Sequence, residues 1–167
     1  MNLVFQSSER TPRLIKALEE AVMRLDQTRI IPDSSDSFAP LGEALDWTTR
    51  LDIDFAELHG DSYRNARDKH ELGGVVLGQR FAKNLFHHNS KAMDLVDVVG
   101  GIYFPMRFPL CPFELKWKSL ANLPKPERRD KLLVDAYVKN VANRLARETL
   151  REALAFFMAV TDSDKSH

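Results

Sequence analysis

A 167-residue chain with 44% hydrophobic and 29% charged residues can bury a core without disulfides or metal, and its composition excludes intrinsic disorder. The 24 lysines and arginines equal the 24 aspartates and glutamates, so no net charge draws the molecule toward nucleic acid. The single cysteine, Cys111, excludes an internal disulfide and fits a reducing compartment, and its neighbours Leu110 and Pro112 supply no charge to activate a thiolate.

Thr11-Pro12 marks a helix start, since proline is pre-set for the first helical position and threonine can cap it. Leu14, Ile15, Leu18, Val22 and Leu25 then recur at helical spacing to about Thr28. Residues 32–37 form a loop by composition. A second amphipathic helix from about Pro40 to Leu58 carries Leu41, Ala44, Leu45, Trp47, Leu51, Phe55 and Leu58 along one stripe, and His59-Gly60 ends it. Asp61-Ser62 caps a third helical stretch with Tyr63, Ala66, Arg67 and His70. Gly73-Gly74 breaks or kinks the chain before a central helix, and the spacing Gly74-x-x-x-Gly78 lets another helix approach closely, within the bundle or at a dimer interface.

After His88 the period changes. Ile102, Phe104, Met106, Phe108 and Leu110 alternate with Tyr103, Pro105, Arg107 and Pro109. Beyond Pro112 the apolar phase moves to Phe113, Leu115 and Trp117, with Glu114 and Lys116 facing away. Period two on both sides of Leu110-Cys111-Pro112 predicts a β-hairpin or extended flap over about 102–117, at an edge because of its prolines. Pro124 and Pro126 precede a basic helix from about Glu127 to Asn140, and a last helix runs from about Arg147 to Val160. The expected architecture is mainly α: one helical domain over 1–160, a bundle of five or six helices with the short hairpin on one side, and a polar tail at 161–167.

No stretch approaches the ~18 apolar residues needed to span a bilayer, and the amino terminus lacks the layout of a secretion signal. A cytoplasmic protein without membrane association is expected. Charge is unevenly spread: eight carboxylates (Asp33, Asp36, Glu43, Asp46, Asp52, Asp54, Glu57 and Asp61) stand against Arg50 between Ile31 and Asp61, and residues 116–131 are predominantly basic. Asp54, Glu57 and Asp61 share a helix face that reads as solvated and acidic, since the Glu-x-x-His and His-Glu-x-x-His spacings of metal sites are missing. No Gly-Lys-Ser/Thr phosphate loop and no Gly-x-Ser-x-Gly elbow is present. No motif implies a bound cofactor.

The densest chemistry lies in Arg80-Phe81-Ala82-Lys83-Asn84-Leu85-Phe86-His87-His88-Asn89. On a helical wheel at about 100° per residue, Leu77, Phe81 and Leu85 span one apolar arc. Asn84 and His88 fall within or beside it, Arg80 and His87 sit at its border, and Lys83 and Gln79 face outward. A buried amide or imidazole without partners costs about 1–3 kcal/mol, so Asn84 and His88 should bond to each other, to a loop carbonyl or to a carboxylate such as Asp61.

Lys83-Asn84-Leu85-Phe86-His87-His88 resembles the Arg-Asn-x-x-x-His signature of HEPN-domain proteins, all-helical modules many of which are metal-independent RNases. Arg80 to His88 with the aromatic, proline-rich stretch after it also resembles actinobacterial proteins that imply no activity. The HEPN resemblance implies a homodimer completing the site, RNA as partner, and His88 as general base on the 2′-hydroxyl. Asn84 would orient phosphate or imidazole, Lys83 or Arg80 would stabilise the phosphate charge, and His87 would protonate the leaving oxygen. Lys83 stands where the signature has arginine, and lysine lacks the planar fork that grips phosphate through two bonds. Lys83 and His88 also diverge by about 140° on an unbroken helix, which shifts the cationic role toward Arg80. A binding or regulatory module that engages a protein partner or RNA without catalysis is therefore the first expectation, and an HEPN-like RNase or degenerate relative the alternative.

Overall fold

The computed structural model describes residues 5–87, 92–101, 111–125 and 130–161. Helices dominate: α1 (Thr11–Gln27), α2 (Phe38–Lys69), α3 (Gly73–His87), the single turn α4 (Ala92–Leu95), α5 (Lys131–Asn140) and α6 (Ala146–Thr161). Two antiparallel strands, β1 (Val96–Gly101) and β2 (Cys111–Trp117), and a 3-10 turn at Leu120–Asn122 complete the described chain. Among the described residues no helix is long and apolar enough to cross a membrane.

The apolar periodicity sets which faces are buried. Leu18, Val22 and Leu25 of α1 pack with Leu41, Leu45, Leu51 and Phe55 of α2, while Leu150, Phe156 and Phe157 of α6 close the far side. The start of α1 is fixed by a reciprocal pair: the Ser8 N–H donates to Thr11 Oγ1 at 3.0 Å and the Thr11 N–H donates to Ser8 Oγ at 3.1 Å. Thr11 is thus the far partner of the capping pair rather than the cap itself. Its hydroxyl also donates to Asp54 at 3.0 Å, which ties α1 to α2 and removes Asp54 from the solvated acidic face expected for it.

α3 is the central helix, packed between α2 and α5. Its tight fit to α5 explains Gly74 and Gly78. A Cβ on Gly78 would lie 2.6 Å from Val141 Cγ2 and 3.1 Å from the Ala136 carbonyl, and one on Gly74 would lie 2.5 Å from Asn140 Nδ2. The small-residue spacing therefore serves a contact inside the bundle.

The hairpin is present, displaced toward the amino terminus from its expected span. β2 carries the expected phase, with Leu115 and Trp117 buried and Phe113 packed on the core. Its partner is the valine-rich Val96–Gly101, with Val96 opposite Trp117 and Val98 opposite Leu115. Cys111, expected in the turn, pairs with Gly101 instead. Period two identifies a strand but not its neighbour, and the alternating run 102–110 lies outside the described residues. Trp117 anchors the hairpin: its ring N–H donates to Thr149 Oγ1 at 2.8 Å, and its backbone N–H donates to the Arg144 carbonyl at 2.9 Å. α5 begins at Lys131, four residues later than expected, capped by the Asp130 carboxylate, which accepts from the Leu132 N–H.

Candidate functional site

The most constrained polar cluster arises from a fold in α2. Gly60 has φ 55° and ψ −132°, a conformation that L-residues adopt only with strain, and it divides the helix into segments 38–59 and 61–69. Asp52 lies on the first segment, Tyr63 and Arg67 on the second. On a straight helix rising about 1.5 Å per residue, Arg67 would stand roughly 22 Å along the axis from Asp52. Instead the Arg67 Nη1 donates to Asp52 Oδ1 at 2.8 Å, and the Tyr63 hydroxyl donates to the same oxygen at 2.9 Å. The reversal at Gly60 is what brings these groups together.

Arg80 reaches in from α3, its Nη1 donating to Asp52 Oδ2 at 2.9 Å. Asp52 is fully sealed from solvent and Arg67 is 5% exposed. Arg67 gives its Nε and Nη2 to Asp68 Oδ1, both at 3.1 Å, and its guanidinium lies over the Tyr63 ring. One carboxylate thus holds two guanidiniums and a phenol, and each partner satisfies part of the desolvation demand of the others. Burial first, and then the charge and hydrogen bond of Asp52, push the Tyr63 hydroxyl well above the usual tyrosine range, so it remains a donor. Burial works against the Arg67 charge, but the charge and hydrogen bond of Asp52 outweigh it and the net displacement is upward.

The arginine side of this network faces a half-open cleft of about 400 Å³. Ile53 and Ala56 from α2, Leu77 from α3 and Leu132 and Leu133 from α5 form its apolar walls. Arg64, Arg67, Arg80, Glu57 and Asp130 supply its polar groups. Most of these are engaged: Arg64 pairs with Asp61 at 2.8 Å, Arg67 with Asp52 and Asp68, and Asp130 caps α5. The Arg80 side chain is 35% exposed, and its Nε and Nη2 have no partner among the described residues.

The residues singled out in the sequence are distributed differently. Arg80 belongs to this network. Lys83 does not face outward as the wheel implied: it is largely covered and pairs with Asp46 on α2 at 3.5 Å. Asn84 is exposed, not inward, and the Asp61 carboxylate offered as its partner is taken by Arg64. His87 is the last residue of α3, and nothing further is described of its side chain; His88 lies outside the described residues. The physical reason for the inversion is that α3 is covered on two sides, by α2 and α5, so a wheel drawn around a single apolar arc misplaces the α2-facing positions.

Gln79 shows the same inversion. Expected outside, it is fully buried, and neither its Oε1 nor its Nε2 has a hydrogen-bond partner among the described residues. The pairings Asp46–Lys83 and Asp52–Arg80 set the register of α2 against α3. The hydroxyls of Thr48 and Thr49 on α2 are likewise buried and have no hydrogen-bond partner among the described residues. The α2–α3 contact thus carries two ion pairs, Asp46–Lys83 and Asp52–Arg80, beside its apolar packing.

The sequence held one signal for Asp52. It falls four residues after Thr48 and three before Phe55, inside the stripe of α2 rather than on its polar face. A charge at a core position needs an opposite charge, and Arg67 and Arg80 both sit among apolar positions of their helices.

No family model, curated protein or solved structure matches the chain.

Proposed function

We propose that the protein is a binding module without catalysis, and that the cleft between α2, α3 and α5 takes its ligand. The observation that carries this reading is Arg80: a guanidinium fixed from behind by the sealed Asp52, with unspent donors beside an apolar-walled cleft. Five apolar and five charged residues line the cleft, a mixture that suits a small amphipathic molecule. Pre-orientation by Asp52 lowers the ordering cost that a free arginine would incur on binding.

The competing reading is the HEPN-like RNase. Its motif cation would be Lys83, which stands at the arginine position of the signature and is paired with Asp46. Two measurements test the proposal together. A panel of small neutral and charged molecules, screened by amide chemical shifts, should move Ala56, Leu77, Leu132 and Leu133 as a group. Mixed RNA incubated with the protein should remain intact. RNA cleavage that disappears in His88→Ala, or a panel that never perturbs the cleft, would overturn the binding reading.

A further inference from the structure

We propose that the cleft selects a small organic monocarboxylate with an apolar body, a deepening that rests on the cleft being the binding site. Arg80 is held through Nη1, which leaves Nε and Nη2, the two donors along one edge of the guanidinium. Parallel N–H groups on one edge match the two oxygens of a carboxylate, giving a bidentate, charge-assisted pair.

The hydrogen bonding around Asp52 leaves the same edge of Arg80 open. Asp52 and Asp68 together balance the charges of Arg67 and Arg80, and no described carboxylate meets the Nε–Nη2 edge of Arg80. The remaining carboxylates of the cleft limit the class further. Asp130 is committed to capping α5 and Glu57 stands exposed on the α2 wall, so a dianion such as a phosphate monoester would meet two like charges where a monocarboxylate meets the same pair with half the charge. The apolar walls then favour a hydrocarbon body over a sugar, because burying hydroxyls against leucines leaves them without partners.

The test uses 2-naphthoate, its neutral isostere 2-naphthamide, and phenyl phosphate, titrated into the full chain and followed by chemical shift and calorimetry. Naphthoate should bind at least about tenfold tighter than naphthamide, as expected when a bidentate ion pair with the guanidinium replaces a charge–neutral hydrogen bond. Arg80→Gln should weaken naphthoate far more than naphthamide and remove the difference between them, and Glu57→Gln, which leaves the Asp52 network whole, should tighten naphthoate severalfold. Equal affinity for acid and amide at the cleft would overturn the carboxylate inference and leave the binding reading standing. Phenyl phosphate binding more tightly than naphthoate would also overturn it. Absence of all three from the cleft would overturn it too, and the broader panel would then decide whether the cleft binds anything.

Discussion

Replacing Asp52 by asparagine probes the network at its centre. The substitution keeps the shape and removes the charge that faces Arg67 at 2.8 Å and Arg80 at 2.9 Å. Arg80 can turn toward solvent, being 35% exposed, but Arg67 cannot, and it retains only the half-exposed Asp68. Breaking a buried pair by removing one partner costs about 3–5 kcal/mol, because the stranded charge stays desolvated. Against a total stability of about 5–15 kcal/mol that is a large fraction, and for a chain of this length it lowers the melting temperature by roughly 6–20 °C. Thermal and urea melts followed by circular dichroism measure it. Arg67→Met alone should also destabilise, and the double variant Asp52→Asn, Arg67→Met should lose less than the sum of the two, with a coupling of about 0.5–3 kcal/mol. A loss under about 1 kcal/mol for Asp52→Asn, or strict additivity in the cycle, would refute the claim that these charges are sealed and mutually dependent.

Three other consequences are open to measurement. Gly60→Ala should cost about 1–3 kcal/mol through backbone strain alone, since a Cβ there meets nothing within 4 Å, and an unchanged urea midpoint would contradict the reversal at that residue. Tyr63 and Tyr137 are both displaced upward, Tyr63 by burial and Asp52, Tyr137 by burial and Asp97. Their contribution is fully present below the ordinary tyrosine value of 10.0 and is lost above it, because the unfolded chain then releases protons that the folded chain retains. Stability should fall by up to roughly 2.7 kcal/mol per pH unit beyond that point, with the slope about halved in Tyr63→Phe, and urea melts between pH 8 and pH 11 (about the range needed) would show it. Gln79→Met removes a buried amide that has no hydrogen-bond partner among the described residues and should stabilise by about 1–3 kcal/mol; a destabilised variant would mean that the amide is satisfied in solution, by water or by a neighbouring polar group.

Sequence and structure agree where one face of an element is buried and the other solvated. The stripe of α1, the stripe of α2 up to Phe55, the break at Gly60 and the odd-position phase of β2 all read directly from spacing. The reading fails for α3, which is covered by α2 and α5 at once: there Gln79 and Lys83 are drawn inward and Asn84 outward. It fails again for the strand partner, because alternation in 102–110 carries no information about which segment lies beside β2. The Asp52–Arg67–Arg80 cluster was legible only in part. Each member is a charge among apolar neighbours, but their meeting depends on the reversal at Gly60 and on the α2–α3 register, both of which are tertiary facts.

The measurement closest to the central claim is the side-chain Nε–H resonance of Arg80 during a titration with 2-naphthoate. If Arg80, fixed by Asp52, is the ligand-facing group of the cleft, that resonance shifts and saturates together with the Ala56 and Leu132 amides, and in Asp52→Asn the joint response weakens. An Arg80 resonance that stays in place while those cleft amides respond would contradict the account.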